Sequence, residues 1–175
     1  LLYHPAVTKL KQLIDQGTLG RILYCYSNRL NMGLIRTEEN ILWSFAPHDI
    51  SVMLHLLGEE PISARAEGQS YLTPGVFDVT VSHLRFRSGV TAHIFVSWLH
   101  PSKEQRFVVV GSEQMAVFDD MAENKLLLYP HRVDWTNRAP KAVKADAVAV
   151  ELEKVEPLKQ ECQHFLDCIA NRRTP

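Results

Sequence analysis

Apolar residues first recur at helical spacing. Val7, Leu10, Leu13 and Ile14 lie three or four positions apart, Pro5 stands before them and Gly17 after. The pattern predicts a helix over Pro5–Gln16, opened by proline and closed by a left-handed glycine. Ahead of it, Leu1-Leu2-Tyr3 reads as the tail of a strand. From Arg21 to Asn31 the period drops to two, with Ile22, Tyr24 and Tyr26 on one parity and Leu23, Cys25, Ser27 and Arg29 on the other. This predicts a strand that ends in polar groups. Met32 to Asn40 is polar and irregular. Trp43 to Leu57 is again apolar at helical spacing, closed by Gly58. Proline disfavours helical geometry in the residue before it, so the regular part of this helix is expected to begin at Pro47.

Beyond Pro61 the period is two. Short segments rich in β-branched and aromatic residues run near Ile62–Tyr71, Phe77–Phe86, Val90–Leu99, Arg106–Gly111, Met115–Asp119 and Lys125–Tyr129, separated by turn sequences such as Thr73-Pro74-Gly75 and Arg87-Ser88-Gly89. They predict an antiparallel meander. Residues 130 to 150 have no firm period and read as a loop with one more strand. Pro157 to Ala170 returns to helical spacing, with Leu158, Cys162, Phe165, Leu166 and Ile169 on one face. Helices, then a run of strands, then a returning helix predict an α+β fold, an open and mostly antiparallel sheet with helices on one face. Between Phe77 and Leu99 both strand parities carry bulk. Leu84, Phe86, Phe95 and Leu99 are assigned to the second face, which is too apolar to stay bare, so a homodimer or homotetramer through that face is expected.

Composition narrows the class. The 175 residues are 46% hydrophobic and 22% charged, which argues against disorder, and no apolar run approaches the roughly 18 residues that cross a membrane. Nineteen basic against 20 acidic residues give a net charge of −1, leaving no global field to attract nucleic acid or an acidic membrane. Three cysteines, Cys25, Cys162 and Cys168, have no zinc spacing and fit free thiols in a reducing, cytoplasmic setting. The first residue is Leu rather than Met, so the chain is expected to be part of a longer one, with half of any active site elsewhere.

The most unusual stretch is Asn40-Ile41-Leu42-Trp43-Ser44-Phe45-Ala46-Pro47-His48-Asp49. If the helix starts at Pro47, His48 lies in its first turn, where the helix dipole disfavours imidazolium and leaves a neutral ring able to trade a proton with an alcohol. The alternative is a capping or buried histidine. Asp49 reads as a first-turn acid that suits the dipole. Arg29, Asn31, Arg36 and Asn40 cluster just before, and arginine clamps phosphate or carboxylate in two-pronged fashion; the alternative is solvated loop charge. His48 and His55 share a helical stripe, but zinc needs three or four ligands. His83, His93 and His100 fall on strands or their ends, and packing accounts for Cys162, His164 and Cys168. No GxGxxG, P-loop, GxSxG or HExxH sequence occurs, so no loop for nucleotide phosphates is expected.

His4-Pro5-Ala6-Val7, Asp15-Gln16-Gly17-Thr18-Leu19-Gly20-Arg21-Ile22 and the closing Glu161-Cys162-Gln163-His164-Phe165-Leu166-Asp167-Cys168-Ile169 resemble the C-terminal domain of Gfo/Idh/MocA-type oxidoreductases over essentially the whole chain. Trp43 to Ser51 and Trp98-Leu99-His100-Pro101 resemble the branch that oxidises UDP-N-acetylglucosamine or its uronic acid at C3. The resemblance implies a two-domain enzyme. A separate N-terminal Rossmann domain would bind NAD or NADP and carry a lysine in a Glu-Lys-Pro motif. His48 matches the family histidine that works with that lysine in proton transfer; Arg29, Asn31, Arg36, Asn40 and Ser44 would face the sugar nucleotide. Many members carry Asp where Ser44 stands, which leaves the proton relay to His48 and the lysine. Two other readings remain: a non-catalytic binding or assembly module of the same fold, supported by Ser44, and a zinc hydrolase, supported only by the number of histidines. The 175 residues alone are expected to be inactive.

Overall fold

The structure, a computed structural model, describes residues 1–174. In chain order the elements are α1 (Pro5–Asp15), β1 (Ile22–Leu30), α2 (Ile41–Leu57), β2 (Pro61–Gln69), β3 (Val79–Phe86), β4 (Thr91–Ser97), β5 (Glu104–Gly111), β6 (Met115–Asp119), β7 (Leu126–Tyr129), β8 (Arg132–Asp134), a 3-10 turn (Thr136–Arg138), β9 (Lys141–Val143), β10 (Val148–Ala149) and α3 (Pro157–Ala170). Leu1–Tyr3 forms a turn rather than the end of a strand. His4 caps α1, its Nδ1 accepting from the Ala6 N–H at 3.1 Å.

Strand order in the main sheet is β10-β7-β6-β5-β1-β4-β3-β2. The expected meander is interrupted, because β1 inserts between β4 and β5, parallel to the first and antiparallel to the second. The intervening α2 is what makes the parallel β1–β4 pairing possible, since a parallel neighbour requires a crossover. Residues 130–150 hold more structure than one strand: β8 and β9 form a separate hairpin, and β10 extends the main sheet beside β7.

Helices α1 and α2 cover one face. Ala6, Val7 and Leu10 of α1 and Ile41, Val52, Met53 and Leu56 of α2 are buried against Cys25, Phe86, Ile94, Val96, Phe107 and Phe118 of the sheet. Register corrects the face assignment made from sequence. Leu84 pairs with Ala92 and Ser82 with Ile94, so Leu84 and Phe86 point into the helix-covered core, while Phe95 lies on the opposite face. On that face Arg65, His83, His93, Tyr26, Val108 and Val117 form one row across five adjacent pairings. Tyr26 and His93 stack there with centroids 5.0 Å apart. Gly111 marks the closest backbone approach, for a Cβ there would stand 2.0 Å from the Leu19 carbonyl oxygen.

Two helices differ from their predicted form. The regular part of α2 begins six residues before Pro47, with Asn40 as its N-cap, and it closes at Gly58 with φ +66°. The apolar stripe of α3 does not face the core: Leu158, Phe165, Leu166 and Ile169 are 54–64% exposed, and Cys162 is exposed too. The helix is instead tied to the body on its flank, where the Tyr3 hydroxyl meets His164 Nδ1 at 2.6 Å; within the helix, buried Cys168 Sγ lies 3.4 Å from His164 Nε2.

Candidate active site

Beyond the end of β1, the 31–40 loop, the middle of α2 and the segment entering β5 surround a cavity of about 260 Å³. Its lining includes Arg29, Asn31, Arg36, Ser44, His48 and Lys103, with Gln105 beside them. Five of the six residues expected from sequence therefore converge. Asn40 does not: its side-chain oxygen accepts from the Trp43 N–H at 3.2 Å and caps α2. A larger open hollow of about 710 Å³ lies between α1 and residues 151–155, but no histidine or arginine lines it.

His48 is the eighth residue of α2, too far from the N-terminus for the helix dipole to act on it, since that effect fades within the first turn. Its titration is nonetheless lowered from 6.5, first by burial and then by the nearby Arg29 charge, while Asp49 acts in the opposite sense. A neutral ring thus follows from burial rather than from the dipole. Ser44, one helical turn earlier, shares the cavity with His48. Its hydroxyl can donate or accept a hydrogen bond, but it offers no carboxylate base.

Arg29 and Asp49 have different surroundings from those expected. The guanidinium donates from Nε to Asp49 Oδ2 at 2.9 Å and from Nη2 to Oδ1 at 3.0 Å, with the side chains only 12% and 5% exposed. Arg29 is thereby committed to a protein carboxylate, and Asp49 is a buried partner in the third turn rather than a first-turn acid. With the Gln105 amide oxygen turned toward Arg29, it accepts from Nη1 at 3.2 Å while its nitrogen donates to Asp120 Oδ2 at 3.1 Å. Arg36 is half-exposed and pairs with Glu39 at 2.9 Å. Lys103 makes no ion pair among the described residues, so it is the uncompensated positive charge of the cavity. Sequence reasoning missed Lys103 and Gln105 because a meander places β5 away from β1, whereas the pairing of Leu30 with Glu104 brings Lys103 beside the end of β1.

The other candidates lie elsewhere. His55 is in the last turn of α2, His83 and His93 sit on the far sheet face, and His100 bonds the Ser102 carbonyl at 2.7 Å. Among the described residues no group of three or more His, Cys, Asp or Glu is placed to hold a metal ion. No helix is long and apolar enough to cross a membrane. The turn from β1 to α2 has only Gly33, followed by Leu34 and Ile35, so it differs from the glycine-rich strand-to-helix turn that cradles a pyrophosphate.

Residues 7–117 match the family model described as the GFO/IDH/MocA C-terminal domain. The UDP-N-acetylglucosamine 3-dehydrogenase of Acidithiobacillus ferrooxidans is 27% identical over 171 residues, covering 97% of this chain and 52% of that protein. Its solved structure superposes with a TM-score of 0.77 at 25% identity, over 98% of this chain and 52% of that one. The scyllo-inositol 2-dehydrogenase (NAD(+)) of Bacillus subtilis is 23% identical over 184 aligned positions, covering 99% and 52%. Levoglucosan dehydrogenase, solved with NADH and levoglucosan, shares the fold at 18% identity, with a TM-score of 0.76 over 99% of this chain and 56% of that one. The chain spans about half the length of the curated relatives it matches.

Proposed function

Because this chain belongs to the GFO/IDH/MocA family and matches its C-terminal domain, we propose that it is the substrate-binding and proton-handling half of an NAD(P)-dependent dehydrogenase acting on a sugar nucleotide. The observation that carries this reading is the convergence of His48 and Ser44 with the cationic side chains of Arg36 and Lys103 on one cavity. A neutral imidazole within reach of a secondary alcohol can take its proton as the carbon gives up hydride. Lysine and arginine at the same cavity suit a phosphate or carboxylate on the same substrate. Asn31 and Ser44 supply neutral hydrogen bonds to sugar hydroxyls. The relative that oxidises UDP-N-acetylglucosamine supports that substrate class, with C3 as the carbon oxidised.

The cofactor supplies the hydride acceptor. In this proposal a preceding Rossmann domain holds its phosphates and contributes the partner lysine, and the residues here bind the sugar and accept the proton. Two copies associate through the sheet face opposite the helices, as a homodimer or as half of a homotetramer, in the cytoplasm and without nucleic acid or membrane. Ser44, which offers no carboxylate base beside His48, favours a second reading: a binding or assembly module without catalysis.

The test is an assay of the whole protein, with its upstream sequence, against UDP-N-acetylglucosamine, its uronic acid and scyllo-inositol with NAD and NADP. Reduction of the nicotinamide with a sugar nucleotide is expected, and none by the 175-residue chain alone. Binding of the sugar nucleotide without turnover would favour the module instead. Turnover by the isolated chain would overturn the division of labour.

A further inference from the structure

Pro47 sits inside α2 and has no N–H, so the Trp43 carbonyl loses its partner one turn earlier, and the helix is weakened at the turn that presents His48. Proline within a helix removes that bond, crowds the preceding turn and commonly kinks the helix. Immediately after this point Asp49 receives the two-pronged Arg29 bond from β1 at 2.9 and 3.0 Å. Arg29 is braced in turn by Gln105 of β5, and Gln105 by Asp120. The chain of contacts runs from the helix through the two central strands to the loop after β6. An arginine fork fixes both distance and orientation, which a point charge does not.

We propose that Arg29 and Asp49 are a positioning pair, bolting the proline-weakened turn of α2 to β1 so that His48 keeps one orientation toward the cavity. Arg29 therefore acts through Asp49 rather than by gripping substrate. The pair has an electrostatic side as well. The charged or titratable groups around His48 are Arg29 from β1, Arg36 from the 31–40 loop, Lys103 from the entry to β5 and Asp49 from its own helix, and the Leu1 amino group adds a weaker opposition to its protonation. Arg29 is the strongest of the charges in opposing protonation of His48.

The significance for proton transfer rests on the dehydrogenase reading, whereas the experiment needs no catalysis. NMR on the 175-residue chain follows the His48 ring through a pH titration and the amide exchange of Ile50 to Met53. Arg29→Ala is prone to misfold because it leaves Asp49 buried and unpaired, so the principal variant is Arg29→Met/Asp49→Leu, which replaces the pair by apolar groups. Its α2 amides are expected to exchange at least about tenfold faster with β3 and β4 unchanged, with the His48 titration displaced from that of the wild type. In Arg29→Lys, which keeps the charge and loses the fork, faster exchange with an unmoved His48 titration is expected. A folded double variant with wild-type exchange and titration would overturn the proposal, as would wild-type exchange in Arg29→Lys. An inactive whole enzyme alongside the expected NMR changes would refute only the dehydrogenase reading.

Discussion

At the cavity, charge bookkeeping separates the cations by role. Arg29 is spoken for by Asp49 and Arg36 shares its charge with Glu39, which leaves Lys103 as the uncompensated cation and, under the proposed function, the group to meet an anion on the substrate. In the whole protein, Lys103→Met is expected to raise KM by about tenfold with kcat little changed, because a contact remote from the reacting carbon contributes mostly uniform binding. Steady-state kinetics with a sugar nucleotide check this, and an unchanged KM would leave Lys103 in solvent. The residue types at the site could be read from the sequence, since His48, Ser44, Asn31 and both arginines share the cavity. Their partners could not. Nothing local to Asp49 distinguishes a dipole-facing acid from one buried against an arginine twenty positions earlier, and Lys103 has no motif around it.

Among the elements, α2 shows how a local rule yields to its context. Proline suggested a start at Pro47, but Asn40 accepts from the Trp43 N–H at 3.2 Å and sets the true N-cap seven residues before that proline, in the position asparagine favours. Asn40→Ala is expected to cost about 1 kcal/mol in chemical denaturation of the 175-residue chain; a change below about 0.3 kcal/mol would mean that the cap is dispensable. Strand positions were legible because alternation survives in β3, where Thr80, Ser82, Leu84 and Phe86 are buried on one side, and in β4, where Ala92, Ile94 and Val96 are. The facing of α3 was not. Helical spacing identifies an apolar stripe but not whether this chain covers it, and Phe165 and Leu166 remain mostly exposed. Phe165→Asp in the isolated chain should shift stability by no more than about 0.5 kcal/mol, as surface changes do. A denaturation midpoint showing a larger loss would place that side chain in a core.

For the whole molecule, sheet order was the property least accessible to sequence, because the insertion of β1 between β4 and β5 depends on long-range pairing that no segment announces. That order assembles the cavity and also the open face, where Tyr26 stacks on His93 between Val108 and His83. Light scattering at micromolar concentration is expected to give about twice the 20.0 kDa chain mass, with Phe95→Asp shifting it toward monomer; a wild-type monomer would contradict association through this face. Acid should also act globally. Burial lowers His4, His48 and His93 from 6.5, so below that pH the unfolded chain takes up protons that the folded chain resists. The stability they confer is present above 6.5 and is lost as pH falls toward their folded values, so Tm should be lower at about pH 5.5 than at about pH 7.5. An equal or higher Tm at the lower pH would contradict that direction. The central claim, that His48 handles the substrate's proton, is tested most directly by kcat of His48→Ala in the whole protein with its sugar nucleotide and NAD(P). A fall of about 10²–10⁴-fold with the fold intact is expected, and an unchanged kcat would make His48 a structural residue and contradict the account.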